Sequence, residues 1–435
     1  QAWSALGPTA QARNANVKPR IDVPTVSKHR QHPKPPTPLA DVRGASRLVI
    51  DLTLLVTGLV ETMHHNIARR PGPLGQATLA PTKGITGLVY RSVRGITRLV
   101  GGTIDVALAP LVPLLADKGD WPGRDVVVAA LNGVLGDRLA ASGNPLAIPM
   151  QLRVGGVALP LEPGGIAAAL GSPRDRVVVL VHGLCMNDLQ WRRGSHDHGR
   201  CLARDLGASA VYLRYNSGRH ISTNGAEFAD LLDALVACWP VPLRELVLVG
   251  HSMGGLVIRS ACAVGAATGQ AWTGLVRAQV FLGTPHHGAP LERGGHGVDR
   301  LLAASPYTVA FTRLGQLRSA GITDLRHGSV QDADWDGHGR FDHAADRRQP
   351  LPLPPGVPSY AIAASLSAEG RGTARKPRGD GLVPVASALG CHPDPRMDLG
   401  LPPERQWIAW GIGHLDLLRS AAVYRQMKRW LVAAK

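Results

Sequence analysis

Residues Gly250-His251-Ser252-Met253-Gly254-Gly255 place a serine between glycines two positions away on either side. A serine hydroxyl is a weak nucleophile until a tight turn presents it beside a base and near backbone donors. With 51 glycines in 435 residues a bare match would arise about 0.3 times by chance, so neighbouring residues must carry the motif. They do. Leu246 to Val249 reads as a buried strand, and Leu256-Val257-Ile258 continues at helical spacing. The base would be a histidine, held in one tautomer by a carboxylate. Asp380, in Gly379-Asp380-Gly381, and His414, in Gly411-Ile412-Gly413-His414, follow Ser252 in the chain order such sites use in mainly parallel sheets. The chemistry expected is attack of Ser252 on a carbonyl, with His414 as base and Asp380 orienting it.

An oxyanion formed by that attack needs two preorganised N–H donors. Met253, just after the serine, is one candidate. Leu184, in Val181-His182-Gly183-Leu184-Cys185-Met186, is the other, because Gly183 lets that loop turn back over the site. Cys185 beside it reads as packing rather than as a nucleophile. Trp191 reads equally as a wall of the substrate pocket or as packing.

These residues need strands that end together. Strand-like apolar runs cover 176–181, 210–215, 245–249, 278–282, 359–363 and 406–410, and alternate with helical stretches at 225–238, 253–267 and 415–433. Such alternation predicts an α/β fold: a mainly parallel sheet with helices on both faces. Before it, 151–161 reads as a hairpin turning at Gly155-Gly156. Asp380 then falls in a loop after the fifth run, and His414 between the last run and a terminal helix. About 75 residues separate the run ending at Leu282 from the one starting at Ser359, the length of a functional insert such as a lid.

The combination of Val181-His182-Gly183-Leu184, Gly250 to Gly255 and Gly283-Thr284-Pro285-His286-His287-Gly288 resembles the α/β-hydrolase superfamily, lipase and esterase type, including bacterial relatives of inositol-deacylase lipases. The resemblance runs from about Met150 to the C-terminus. It implies an α/β-hydrolase fold, a serine carboxylester hydrolase, and an ester or lipid-like substrate. It also implies a cap over 290–355 and a pocket rim shaped by Thr284 to His287. His182, Cys185, Trp191, His251, Thr284, His286 and His287 are the pocket candidates. An acyltransferase or thioesterase would use the same triad. A catalytically idle membrane-surface or interaction module is the reading from another class.

Three regions follow from composition: a Pro-rich basic arm over 1–44, a helical segment over 45–145 and the catalytic domain over 146–435. In the second, Leu48, Leu52, Leu55, Leu59, Met63 and Ile67 recur at helical spacing, and further helical stretches cover 86–109 and 124–141. Its apolar faces read as packing on the catalytic domain, or as a membrane-surface or substrate-entry element. The formal charge is +16, but only eight of the 48 basic residues are lysine and the arginines are scattered beyond the arm. This is not the basic stripe of a nucleic-acid binder. It leaves peripheral contact with an anionic membrane as a partner.

Five cysteines without paired spacing argue against a disulfide framework and a zinc site. No cofactor is expected. Asp332, Asp334 and Asp336 imitate the start of a calcium loop, but His343 stands where a bidentate Glu is wanted. The His196-Asp197-His198 and His286-His287 runs likewise do not read as metal sites. No signal peptide or spanning segment is visible, which suggests a cytoplasmic or peripheral-membrane location. The absence of an initiating Met leaves room for a removed leader.

Overall fold

The computed structural model describes residues 44, 46–47, 124–289, 318–337, 346–368 and 379–433. The arm, the helical stretches predicted over 45–123 and much of the expected cap lie outside them. In chain order the elements are α1 (Arg124–Ala141), β1 (Gln151–Val154), β2 (Val157–Ala158), α2 (Pro163–Leu170), β3 (Arg176–Val181), β4 (Arg192–Arg193), β5 (His196–Asp197), α3 (His198–Leu206) and β6 (Ser209–Arg214). They continue with α4 (Ile221–Cys238), β7 (Glu245–His251), α5 (Met253–Ala267), β8 (Val276–Leu282), α6 (Ala320–Asp324), β9 (Ser359–Ser365), α7 (Val385–Ala388), β10 (Gln406–Trp410) and α8 (Ala421–Ala433).

Eight of these strands form one sheet in the order β10-β9-β8-β7-β3-β6-β1-β2. Every pairing from β6 to β10 is parallel, whereas β1 runs antiparallel to both β6 and β2. The Gly155-Gly156 turn of the β1–β2 hairpin has φ of 59° and 84°, the left-handed values a two-residue turn requires.

Side chains alternate across each strand, and helices cover both faces. Val177, Val179 and Val181 of β3 join Phe228 and Leu232 of α4 and Leu256 and Val257 of α5 in one core. Val178 and Leu180 face the other way, with Leu202 of α3 and Val423, Met427 and Trp430 of α8. This explains the unbroken apolar runs: a strand buried on both faces has no polar side to alternate with.

The last helix is a correction. A single helix over 415–433 is expected from the pattern, but His414–Leu418 is a separate 3-10 turn and α8 starts at Ala421. Asp416 Oδ2 accepts the Gly413 N–H at 3.0 Å, and Ser420 Oγ accepts the Val423 N–H at 3.4 Å. Two local caps divide the stretch. Among the described residues no helix is long and apolar enough to cross a membrane.

Candidate active site

Ser252 stands between β7 and α5 at φ 54° and ψ −126°. That conformation is strained for a residue with a side chain, of order 1–3 kcal/mol, and it lifts the hydroxyl off the sheet. The motif glycines make it attainable. A Cβ on Gly254 would run into the carbonyl oxygen of Val181 at the end of β3, and one on Gly250 would meet the Gly255 backbone. The Ser252 N–H donates to Leu282 O of β8 at 2.8 Å, pinning the turn to the neighbouring strand.

Asp380 and His414 meet. His414 Nδ1 lies 2.6 Å from Asp380 Oδ2, and the two residues are 6% and 4% exposed. The other carboxylate oxygen, Oδ1, accepts the N–H groups of Leu382 (2.9 Å) and Val383 (2.7 Å). A carboxylate fixed at both oxygens makes Nδ1 the donor, leaving His414 Nε2 unprotonated and able to take a proton. The His414 N–H also donates to Asp380 O at 3.2 Å.

Two further histidines hold the His414 turn. His251, beside Ser252, donates from Nε2 to His414 O at 3.2 Å. Its burial, followed by the charge of His414, pushes its pKa well below the usual value, so it is neutral. His198 Nε2 donates to Leu417 O at 2.8 Å, and His196 Nε2 donates to His198 Nδ1 at 2.7 Å. Burial pushes His198 down to about 4. The His196-Asp197-His198 run thus braces the turn.

Ser252, His414 and Leu184 line one cavity of about 480 Å³. Gly183 brings the Leu184 loop close: a Cβ there would lie 3.0 Å from Ser252 Cβ. The Cys185 N–H donates to Ser217 Oγ at 3.1 Å and the Met186 N–H to Gly183 O at 3.3 Å; neither bond uses Leu184. Met253 opens α5, where the first N–H groups have no intrahelical acceptor. Cys185 has φ 59°, lines the cavity and packs under α1, where a Cβ on Gly133 would strike its Sγ. Burial pushes its thiol up, which suits packing.

Of the expected pocket residues, Cys185 and His251 line this cavity, and the other five do not. His182 is fully buried behind its loop, donating from Nδ1 to Gly183 O at 2.8 Å and stacking on Tyr215 at 4.3 Å. Burial holds it down at about 3. Trp191 is fully buried, its ring edge-on to His251 at 6.4 Å. Thr284 packs on Gly255, and His286 sits edge-on to Phe281 at 4.8 Å. His287 faces Gly390 O at 3.0 Å, and its N–H donates to Ser387 Oγ of α7 at 3.0 Å. The 283–288 loop therefore contributes Pro285 to the cavity and clamps α7 through its backbone, where the His286 and His287 N–H groups and Gly288 O all bond Ser387.

The lining also includes Ile322 and Leu325 from the described part of the expected cap, Leu382 and Leu415 from the triad loops, and Gln190 and Arg193 from the connection between β3 and α3, Arg193 on β4. No periodicity marks these residues. In the Asp332 to Asp336 stretch, Asp334 Oδ2 accepts the N–H groups of Val330 (2.8 Å) and Gln331 (3.1 Å), so its carboxylate caps the local backbone. Asp324 is likewise engaged, with His220 Nδ1 at 3.0 Å and the Ile221 N–H at 2.8 Å.

The class that this sheet and its strained serine turn define is the α/β-hydrolase fold. Residues 172–340, which contain Ser252 and precede Asp380 and His414, match the family described as the PGAP1-like alpha/beta domain. Solved structures similar to this chain include the mature lipase BlEst2 of Bacillus licheniformis, at 17% identity and TM-score 0.38, covering 65% of this chain and 98% of that one. Lipase 1 of Pelosinus fermentans is similar at 14% identity and TM-score 0.32, covering 60% and 98%. A lipase-esterase related protein of Clostridium acetobutylicum is similar at 12% identity and TM-score 0.31, covering 59% and 94%. No curated protein matches the chain by sequence.

Proposed function

We propose that this protein is a serine carboxylester hydrolase that works through an acyl-enzyme on Ser252. The observation that carries the reading is the 2.6 Å contact of His414 Nδ1 with Asp380 Oδ2, behind a cavity that Ser252 and His414 both line. His414 Nε2 takes the hydroxyl proton as Ser252 Oγ attacks the ester carbonyl. Asp380 stabilises the imidazolium, and the N–H groups of Leu184 and Met253 hold the oxyanion. Collapse breaks the bond to the alcohol, which leaves with the proton from His414. Water, deprotonated by His414, then attacks the acyl-enzyme and frees the acid and Ser252. Apolar lining from Leu184, Met186, Ile322, Leu325 and Leu382 supports a lipid-like acyl or alcohol group.

The test is hydrolysis of a short p-nitrophenyl ester by wild type and Ser252→Ala. Loss of the nucleophile should lower kcat by a factor on the order of 10⁴ or more. Activity within about tenfold of wild type would remove Ser252 from the role.

A further inference from the structure

The cavity beside Ser252 holds one feature that ester hydrolysis does not use. Arg193 lines it, yet makes no ion pair or side-chain hydrogen bond among the described residues. Its Nε is buried without an acceptor. No Asp or Glu stands among the cavity-lining residues. The carboxylates nearest in sequence are engaged elsewhere: Asp188 with Arg153 at 3.1 Å, and Asp197 with Tyr212 Oη at 2.7 Å and the Arg200 N–H at 3.1 Å. Arg193 sits on the short β4–β5 hairpin, opposite His196. Its charge reaches the nucleophile turn. After burial and the charge of His414, Arg193 is a further cause holding down the pKa of His251, next to Ser252.

We propose that Arg193 is an anion subsite, so that the ester taken by this cavity carries a phosphoryl or carboxylate group as well as an apolar chain. A guanidinium presents a planar fork of N–H donors that matches the oxygens of either group; with Nε buried, the two terminal Nη groups would take the anion. With no neighbouring carboxylate to compete, the charge remains available to a ligand. The apolar walls take the rest of the molecule, which makes the substrate an anionic amphiphile. This inference rests on the reading of Ser252 as nucleophile and narrows its substrate class.

Calorimetric binding of hexyl phosphate, hexanoate and hexanol to the full chain, as wild type, Arg193→Gln and Arg193→Lys, tests it without catalysis. At least one anion should bind wild type tenfold or more tighter than Arg193→Gln, with hexanol unchanged and Arg193→Lys between the two. Comparing hexyl phosphate with hexanoate separates the two anion chemistries. Equal binding of both anions to wild type and Arg193→Gln, an equal loss for hexanol, or no anion binding to wild type would overturn it. In hydrolysis, the ratio of kcat/KM for dihexanoyl phosphatidylglycerol to that for dihexanoylglycerol should fall at least tenfold in Arg193→Gln if the anion is phosphoryl. Full activity in Ser252→Ala would sink the nucleophile reading while leaving the binding result to stand or fall alone.

Discussion

Asp380 is held on both sides, by two backbone N–H groups at Oδ1 and by His414 at Oδ2. Its charge, more than its shape, is what the account needs. Asp380→Asn keeps the volume but presents either an oxygen or an NH₂ to His414, and the amide can fix the wrong tautomer. We expect kcat for a p-nitrophenyl ester to fall by about 10³–10⁴, with circular dichroism unchanged. A fall under tenfold would show that Asp380 is not the orienting acid. The turn at Ser252 and the meeting of Asp380 with His414 were legible in the chain because each of these residues sits beside small residues after a strand. Thr284, His286 and His287 misled because sequence names a loop without saying which way its side chains point. Arg193 carried no signal, since an arginine in a loop is ordinarily a solvated one.

At the scale of elements, the apolar runs became β3, β6, β7, β8, β9 and β10, and 253–267 became α5 over the same bounds. Burial on both faces made these runs continuous and therefore legible. The two-residue strands β4 and β5 and the break before α8 escaped, because a hairpin turn and two capping side chains leave no periodic trace. Helix α1 gained a role that its pattern did not state. Gly133 packs on Cys185, Asn216 Nδ2 donates to Gly136 O at 2.8 Å, and Ser319 Oγ donates to Gly133 O at 2.6 Å. The helix thus lies against the loop that carries Leu184. Gly133→Val should push Cys185 and lower kcat/KM for a short ester by about tenfold or more, while overpacking costs about 1–3 kcal/mol in chemical denaturation. Unchanged kinetics with the same stability loss would mean that α1 supports the fold without supporting the site.

At the scale of the whole molecule, five histidines among the described residues are buried as neutral groups: His182, His198, His251, His286 and His287 all have lowered pKa values, with burial as the leading cause. The unfolded chain takes up protons near pH 6.5, while the folded chain refuses them until about pH 4 or below at His198 and His287. Stability therefore falls as pH drops from about 6.5 toward 4, by at most about 1.4 kcal/mol per pH unit for each group. Asp188 and Asp324, whose carboxyls burial pushes up, act in the opposite sense nearer the carboxylate range. Denaturation at pH 7, 6 and 5 should show a steady loss, with a shallower slope in His198→Gln; a flat profile would contradict the neutral burial of these rings. The same sheet that buries them brings the ends of β7, β9 and β10 to one rim, where Ser252, Asp380 and His414 belong. The central claim is that Ser252 is the activated nucleophile there. Its most direct measurement is peptide mapping by mass spectrometry after reaction with a fluorophosphonate. The account predicts one stoichiometric adduct on Ser252 in wild type and none in His414→Ala. An adduct elsewhere, or equal labelling of Ser252 without His414, would contradict it.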